Sequence, residues 1–195
     1  MELDRIDFFT DAEWNKWDAK TLWGMLLKQA QDGSERLGWV NLQNVERANM
    51  RPIATEATQE RYLRQIRSGT KVLFEIPSGL NGYFVAIEQN HKGEIYLIAP
   101  SPVMKNIVLS GKEELLPQRP LDEDTPEVFE LTELGTRHVW VAVFPELPDL
   151  EWLTGAAASR NWQDLNEGHL NDLWEYVESG SSNTPIWRLS YAVTA

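Results

Sequence analysis

The feature that most constrains the fold is a series of short apolar segments after Gly69, separated by turn residues such as Pro77-Ser78-Gly79 and Asn90–Gly93. The spacing is too short for crossover helices between the first four segments, so a parallel sheet is excluded there and an antiparallel meander or sandwich is predicted. The predicted strands are Lys71–Ile76, Gly82–Glu88, Glu94–Ala99, Asn106–Leu109, Glu127–Leu131 and His138–Phe144.

Helical periodicity lies on both sides of this series. Residues 10–13 fit a capping box that opens a first helix, whose apolar positions run from Trp14 to Ala30. A second pattern, from Leu37 to Ala48, and a third, from about Thr55 to Ser68, also predict helices. A late helix over Leu165–Val177 and a closing strand over Trp187–Val193 complete the chain.

The predicted fold class is therefore α+β: N-terminal helices followed by an antiparallel β meander or sandwich-like domain, with one late helix and a closing strand. We divide the chain into an N-terminal helical segment, residues 1–68, and a β-rich domain, residues 69–195. Of the nine Trp residues, Trp14 and Trp162 are the two expected to be exposed.

Charge is distributed unevenly along the chain. The sequence has 18 Lys and Arg against 30 Asp and Glu, a net charge of -12, and residues 111–180 hold four basic and 16 acidic residues. Such an acidic chain is not expected to bind the phosphate backbone of nucleic acids directly. It is expected to attract a basic protein surface, such as that of an effector, a signalling protein or a polymerase-associated factor.

Signatures of catalysis and of cofactor binding are missing from the sequence. There is no Cys, no Gly-x-Ser-x-Gly motif and no complete phosphate-binding loop. Residues 164–175 resemble a calcium-binding loop, but His169 occupies the position that requires Gly, so a helix N-terminus is the better interpretation. We therefore expect no enzyme activity, no cofactor and no metal.

The candidate partner-binding residues form three groups. Two groups are acidic loops, the second of which includes a Trp that would stack on a sugar. The third is a row of Arg residues on the predicted third helix, which either binds an anionic partner or pairs with the acidic domain of the same chain. The candidates are Asp122, Glu123, Asp124, Glu146, Asp149, Glu151, Trp152, Arg61, Arg64 and Arg67.

Several short motifs give the β-rich part a resemblance to a known family. They are Gly69–Phe74, Gly82–Val85, Gly93–Ser101 and Leu115–Gln118, followed by Gly135, Pro145, the helix with Trp174 and the closing Tyr191–Val193. Residues 69–195 thus resemble an uncharacterised bacterial domain that is common in cyanobacteria and often attached to caspase-like peptidase or kinase modules. The resemblance implies a β-rich accessory module and no catalytic residue. Because this chain has no peptidase or kinase domain of its own, its effector is expected to be a separate polypeptide.

These observations predict a non-enzymatic protein-interaction and regulatory accessory module, an adaptor or regulator of a separate effector, acting through an acidic surface. A β-sandwich that binds a small ligand or a glycan is the alternative, and a hydrolase ranks last. The sequence shows neither a secretory signal nor a membrane span, so a cytoplasmic location with no membrane partner is expected.

Overall fold

The computed structural model describes residues 18–43, 62–104, 108–117, 128–158, 162–179 and 184–195. Three helices have both ends within these ranges: α1 (Ala19–Gln29), α2 (Glu151–Ala158) and α3 (Glu167–Glu178), and residues 42–43 are also helical. The strands, in chain order, are β1 (Gln31–Asp32), β2 (Gly38–Asn41), β3 (Gln65–Arg67), β4 (Thr70–Ile76), β5 (Asn81–Gln89), β6 (Ile95–Ala99), β7 (Val108–Ser110), β8 (Glu114–Leu116), β9 (Phe129–Leu131), β10 (Gly135–Phe144), β11 (Gln163–Asp164) and β12 (Ile186–Thr194).

The strands form two sheets. Sheet A has the order β1-β12-β10-β5-β6-β11, with β3 also paired to β12 and β7 to β5. Sheet B has the order β2-β4-β8, with β9 also paired to β4. Most pairs are antiparallel, while β1 and β3 run parallel to β12. The predicted α+β class with a sandwich-like β domain, a late helix and a closing strand is confirmed.

Sheet A is buried on both faces, and β10 shows why. Its odd-numbered residues, Val139, Val141 and Val143, pack into the core between the two sheets. Its even-numbered residues, Trp140, Ala142 and Phe144, pack into a second core beneath the helices. Successive side chains of a strand point to opposite faces, so a strand covered on both sides reads as an unbroken apolar run. The molecule therefore has three layers: helices, sheet A and sheet B.

Helices α1 and α3 cover the outer face of sheet A with apolar stripes. Leu22 and Leu26 of α1, and Leu170 and Leu173 of α3, are fully buried there. Asn166 is the N-cap of α3, and its side chain accepts a hydrogen bond from the His169 N–H while the His169 ring accepts one from the Asn166 N–H. The calcium-loop-like stretch is thus a capped helix start, as expected from the sequence.

Two of the predicted N-terminal helices are wrong over most of their described residues, although residues 42 and 43 of the second one are helical. Residues 38–41 form strand β2 and residues 65–67 form strand β3. β2 pairs with β4, and β3 pairs with β12, so hydrogen bonds to distant strands override the local helical pattern. The predicted capping box and Trp14 lie outside the described residues, and α1 begins at Ala19 after the N-cap Asp18.

The six predicted strands of the β-rich region agree with the structure in order and, over their described residues, in approximate position, as do the late helix and the closing strand. Residues 106–107 and Glu127 of these predictions lie outside the described residues. Sequence analysis missed α2, which begins at Glu151 where a solvated acidic loop was expected. No helix within the described ranges has the length and apolar character needed to cross a membrane.

Candidate functional site

A cavity of about 360 Å³ opens between the two sheets, and we call it the Arg137 cavity. Sheet A contributes residues from β5, β6, β10 and β11, and sheet B contributes residues from β2 and β9. Its aromatic walls are Trp39, Tyr96, Phe129 and Trp162. Its charged residues are Glu88, Glu130, Glu133, Arg137 and Asp164. Ile98, Leu131 and Thr132 complete the lining.

Strand register assembles a polar cluster at one side of this cavity. In β5, Phe84 and Ala86 point into the core between the sheets, and Glu88, two residues further along the strand, points to the same side. Across the β5–β6 pair, Glu88 lies opposite Tyr96. Across the β10–β12 pair, Arg137 lies opposite Tyr191. Side chains directly opposite on one face of a sheet are close enough to contact. Because β5 also pairs with β10, the two pairs lie side by side and the four groups meet.

The centre of the cluster is a buried ion pair. Arg137 Nη1 lies 2.5 Å from Glu88 Oε1, and the two side chains are 7% and 2% exposed. The Tyr191 hydroxyl donates to Glu88 Oε2 over 2.5 Å, and the Tyr96 hydroxyl donates to Glu88 Oε1. Arg137 Nη1 also donates to the Tyr96 oxygen over 2.5 Å. The Glu88 carboxylate therefore receives three donors in place of water, which is what a buried charge requires.

A second carboxylate continues the cluster toward solvent. Arg137 Nη2 donates to the main-chain oxygen and to Oε2 of Glu133, each over 3.3 Å. Glu133 Oε1 lies 2.5 Å from Lys92 Nζ. The hydrogen bond from Lys92 lowers the pKa of Glu133 below its usual value. The chain of contacts therefore runs from the buried Glu88 through Arg137 to an exposed lysine.

The protonation states of the cluster suit binding. Burial raises the pKa of Tyr96 and of Tyr191 well above the ordinary phenol value, and the negative charge of Glu88 raises both further. Burial is the largest single influence on Arg137 and works against its charge, but the hydrogen bond to Glu88, the charge of Glu88 and the two tyrosines together raise its pKa above the usual value. At neutral pH both phenols are therefore hydrogen-bond donors and the guanidinium is charged.

The aromatic walls remain partly open to solvent at Trp162, whose exposure the sequence predicted and the structure confirms at 48%. Its ring centroid lies 6.5 Å from that of Tyr96 and 6.3 Å from that of Phe129. Phe129 in turn lies 5.1 Å from the buried Trp39. A row of rings therefore leads from the surface into the sandwich.

Two buried donors on lining residues have no hydrogen-bond partner among the residues that the structure describes. They are Nε of Arg137 and Nε1 of Trp39. A buried polar group without a partner carries a desolvation cost, so native structures usually supply one. Both atoms belong to residues that line the cavity, and both are themselves buried.

The candidates that the sequence singled out lie elsewhere or outside the described residues. Asp122, Glu123, Asp124 and Arg61 are outside those ranges. Glu146 and Asp149 are exposed in the connection before α2, and Glu151 is the exposed first residue of that helix. Trp152 is half-buried, and its ring lies 5.3 Å from His169. None of these described residues lines the Arg137 cavity.

The two other arginine candidates do not form the predicted helical row. Arg64 is exposed just before β3, and Arg67 is exposed at the end of that strand. A spacing of three residues gives one face on a helix but not on a strand, so the pattern loses its meaning here.

Sequence analysis missed the charged centre of the site, although one signal was present. Glu88 and Arg137 occupy the same alternating positions as the core residues of their strands, Phe84 and Ala86 in β5 and Val139 and Val141 in β10. Opposite charges on the inward positions of two strands indicate a buried pair.

The arrangement combines a concave shape, aromatic faces and a few fixed polar groups. The described residues contain no group of three or more His, Cys, Asp or Glu side chains placed to hold a metal ion. Rigid aromatic faces beside a few fixed polar groups are typical of a ligand pocket, and about 360 Å³ falls within the range of such pockets. Comparisons of this chain with protein-family models, with curated proteins and with solved structures find no match.

Proposed function

We propose that this protein is a non-enzymatic interaction and regulatory accessory module that binds a separate effector or signalling protein through the Arg137 cavity and its acidic margin. The observation that carries the proposal is the cavity itself, formed between the sheets and lined by four aromatic residues and four carboxylates against one guanidinium. The sequence expectation of a cytoplasmic protein that acts as an adaptor belongs to the same proposal.

Rigidity of the site supports a binding role. Six strands supply most of the lining, and the ion pair between Glu88 and Arg137 joins neighbouring β5 and β10 inside it. A preformed site loses less conformational freedom on binding than a flexible loop does. Net charge supports a basic partner, since an acidic surface speeds association with a positive one and disfavours negative ones.

The test is affinity capture with a matched pair of charge reversals. Asp164 is exposed on β11, lines the cavity and lies opposite Tyr96 in the sheet, whereas Asp172 is exposed on α3 in the helix layer. We expect wild type and Asp172→Lys to retain the same partner from lysate, and Asp164→Lys to lose it. High salt should release that partner. A set of captured proteins that is identical for all three baits would contradict the proposal.

A small-ligand or glycan-binding role in the same cavity is the second candidate. It is favoured by Trp162, whose exposed ring lies beside two other aromatic residues and near carboxylates that accept hydrogen bonds from hydroxyl groups. Titration of Trp fluorescence with a panel of oligosaccharides and metabolites tests it. Saturable quenching that disappears in Trp162→Ala would favour this role, and flat curves would eliminate it.

A further inference from the structure

We infer that the Arg137 cavity recognises a trimethylammonium group, carried either by a methylated lysine of the partner or by a choline-like metabolite. This inference rests on the proposed function for its site and names the chemistry of the ligand that the site takes. It is carried by three features of the cavity: adjacent aromatic rings at its mouth, one carboxylate beside them, and inner polar groups that are already engaged with one another.

Three aromatic rings lie next to one another where the cavity meets solvent. Trp162 is 48% exposed, and its ring centroid lies 6.5 Å from that of Tyr96 and 6.3 Å from that of Phe129. The planes of Trp162 and Tyr96 are 87° apart, so these two rings are not stacked face to face. A cation seated between Trp162 and either neighbour lies within about 6 Å of two ring centroids, the distance at which an aromatic ring attracts a positive charge. Clustered rings of this kind are typical of sites that bind quaternary ammonium groups.

Asp164 supplies a negative charge beside these rings. It is exposed, lines the cavity, and lies directly opposite Tyr96 across the β6–β11 pair. Side chains directly opposite in an antiparallel pair are on the same face of the sheet, with Cβ atoms about 4.5–5.5 Å apart. The carboxylate and the Tyr96 ring therefore flank the same part of the cavity.

The remaining charges of the cavity leave Asp164 as the carboxylate that a cation would meet. Glu88 is paired with Arg137, and Glu133 is paired with Lys92 as well as with Arg137. Asp164 makes no ion pair with any residue that the structure describes. One carboxylate beside the rings favours one positive charge.

The inner polar groups favour a cation without N–H donors. The Glu88 carboxylate receives hydrogen bonds from Arg137, Tyr96 and Tyr191, and the Tyr96 oxygen accepts another from Arg137. A lysine ammonium needs acceptors for three N–H groups and is strongly hydrated, and an arginine has five N–H groups to satisfy. A trimethylammonium group has none, so ring faces and one nearby carboxylate are sufficient to replace its water.

The experiment measures binding by calorimetry with two probes, choline and a peptide with blocked ends that contains one trimethyllysine between glycines. The matched probes are the same peptide with unmodified lysine and the uncharged alcohol in which carbon replaces the choline nitrogen. We expect both trimethylammonium probes to bind, and each matched probe to bind at least about tenfold more weakly than its counterpart. Tighter binding of the trimethyllysine peptide than of choline assigns the group to the partner polypeptide, and the reverse order assigns it to a metabolite.

Protein variants locate the binding. Trp162→Ala should weaken both trimethylammonium probes by about fivefold or more, whereas Trp162→Phe keeps a ring and should lose less. Asp164→Asn should weaken them by about threefold or more, because it removes the charge and keeps the shape. Val108→Ala and Asp172→Asn are the matched controls, since both side chains are exposed and neither lines the cavity, and both should stay within about twofold. Urea unfolding of each variant checks that it is folded.

The inference is overturned if neither trimethylammonium probe binds, if the lysine peptide or the uncharged alcohol binds as tightly as its counterpart, or if Trp162→Ala binds both probes as wild type does. Failure here is distinct from failure of the proposed function. A partner lost in Asp164→Lys would uphold the function, while lack of binding by both probes removes the trimethylammonium group as its ligand. Conversely, binding of the probes without any partner lost in Asp164→Lys would remove the function.

Discussion

Replacing Arg137 by Met tests the charged centre of the site most severely. The substitution preserves much of the length and apolar stem of the side chain but removes every donor to Glu88 except the two phenols. Glu88, only 2% exposed, would then be a buried carboxylate with no opposite charge in contact. Removing one partner of a buried ion pair costs about 3–5 kcal/mol of the free energy of unfolding.

The expected magnitude is measurable by heat and by denaturant. For a chain of 150–250 residues, 1 kcal/mol shifts Tm by about 2–4 °C, so Arg137→Met should lower Tm by roughly 6–20 °C. Urea titration followed by Trp fluorescence gives the corresponding loss in free energy. Arg67→Met is the matched control, because Arg67 is exposed on β3, and a surface substitution should change stability by less than about 0.5 kcal/mol.

A double variant separates the charge effect from lost packing. In Arg137→Met combined with Glu88→Gln, neither charge remains, while the amide oxygen still accepts hydrogen bonds from the phenols. Its stability should exceed that of Arg137→Met alone, because the uncompensated carboxylate is gone. Equal stability of the two Met-containing proteins, or an Arg137→Met cost no larger than that of Arg67→Met, would refute the reasoning.

Three further substitutions test other parts of the fold by urea unfolding or Tm. Gly82→Ala should lower the free energy of unfolding by at least about 2 kcal/mol, because φ at Gly82 is +130° and an added Cβ would lie 2.2 Å from the Phe144 oxygen. Gly24→Ala, where an added Cβ has nothing within 4 Å, should instead stabilise α1 by about 0.5–1 kcal/mol. Equal effects of the two substitutions would contradict this geometry. The hydrogen bond from the Thr21 N–H of α1 lowers the pKa of Asp18, so this N-cap stabilises the protein above the unfolded-state pKa of the carboxyl group, and the stabilisation is lost as pH falls through the folded-state pKa. Asp18→Asn keeps an oxygen acceptor that does not titrate, so this variant should lose less stability than wild type on acidification. Parallel stability profiles for the two proteins in acid would contradict the cap. Leu26 is fully buried, so Leu26→Ala should lower the free energy of unfolding by about 2–5 kcal/mol while the protein still unfolds in a single transition. A second transition, unaffected by the substitution, would show that α1 is not part of the same cooperative unit.

The pattern of apolar residues along the sequence predicted those helices and strands whose tertiary contacts favour the same conformation. The apolar run ending at Phe144 predicted β10 correctly, because it is rich in β-branched residues and bounded by turns. α3 was equally readable from its apolar spacing and its N-terminal Asn166. The same reasoning failed at β2 and β3, because their conformation depends on partners about thirty or more residues away in β4 and β12.

The site was less predictable than the fold. Glu88 and Arg137 are charged residues at inward positions of β5 and β10, which the sequence could have indicated. The register that brings Tyr191 beside them pairs β10 with β12, two strands separated in the sequence by α2, β11 and α3, and no local pattern predicts it. Trp39 and Trp162, more than a hundred residues apart, share one cavity only because the two sheets pack together. The distribution of charge along the sequence indicated an excess of acidic residues in residues 111–180. It did not indicate that some of them line a cavity together with aromatic residues.

The most direct test of the account is to titrate the protein with the partner that wild type retains and to observe whether this partner binds at the Arg137 cavity. The indole N–H signals of Trp39, Trp162 and Trp140, assigned by substituting each with Phe, can be followed in ¹⁵N–¹H spectra during titration. Trp39 and Trp162 line the cavity, and Trp140 is buried in the core beneath the helices. The account predicts saturable shifts of the first two signals with the third unchanged. Binding that leaves both cavity signals unmoved would contradict it.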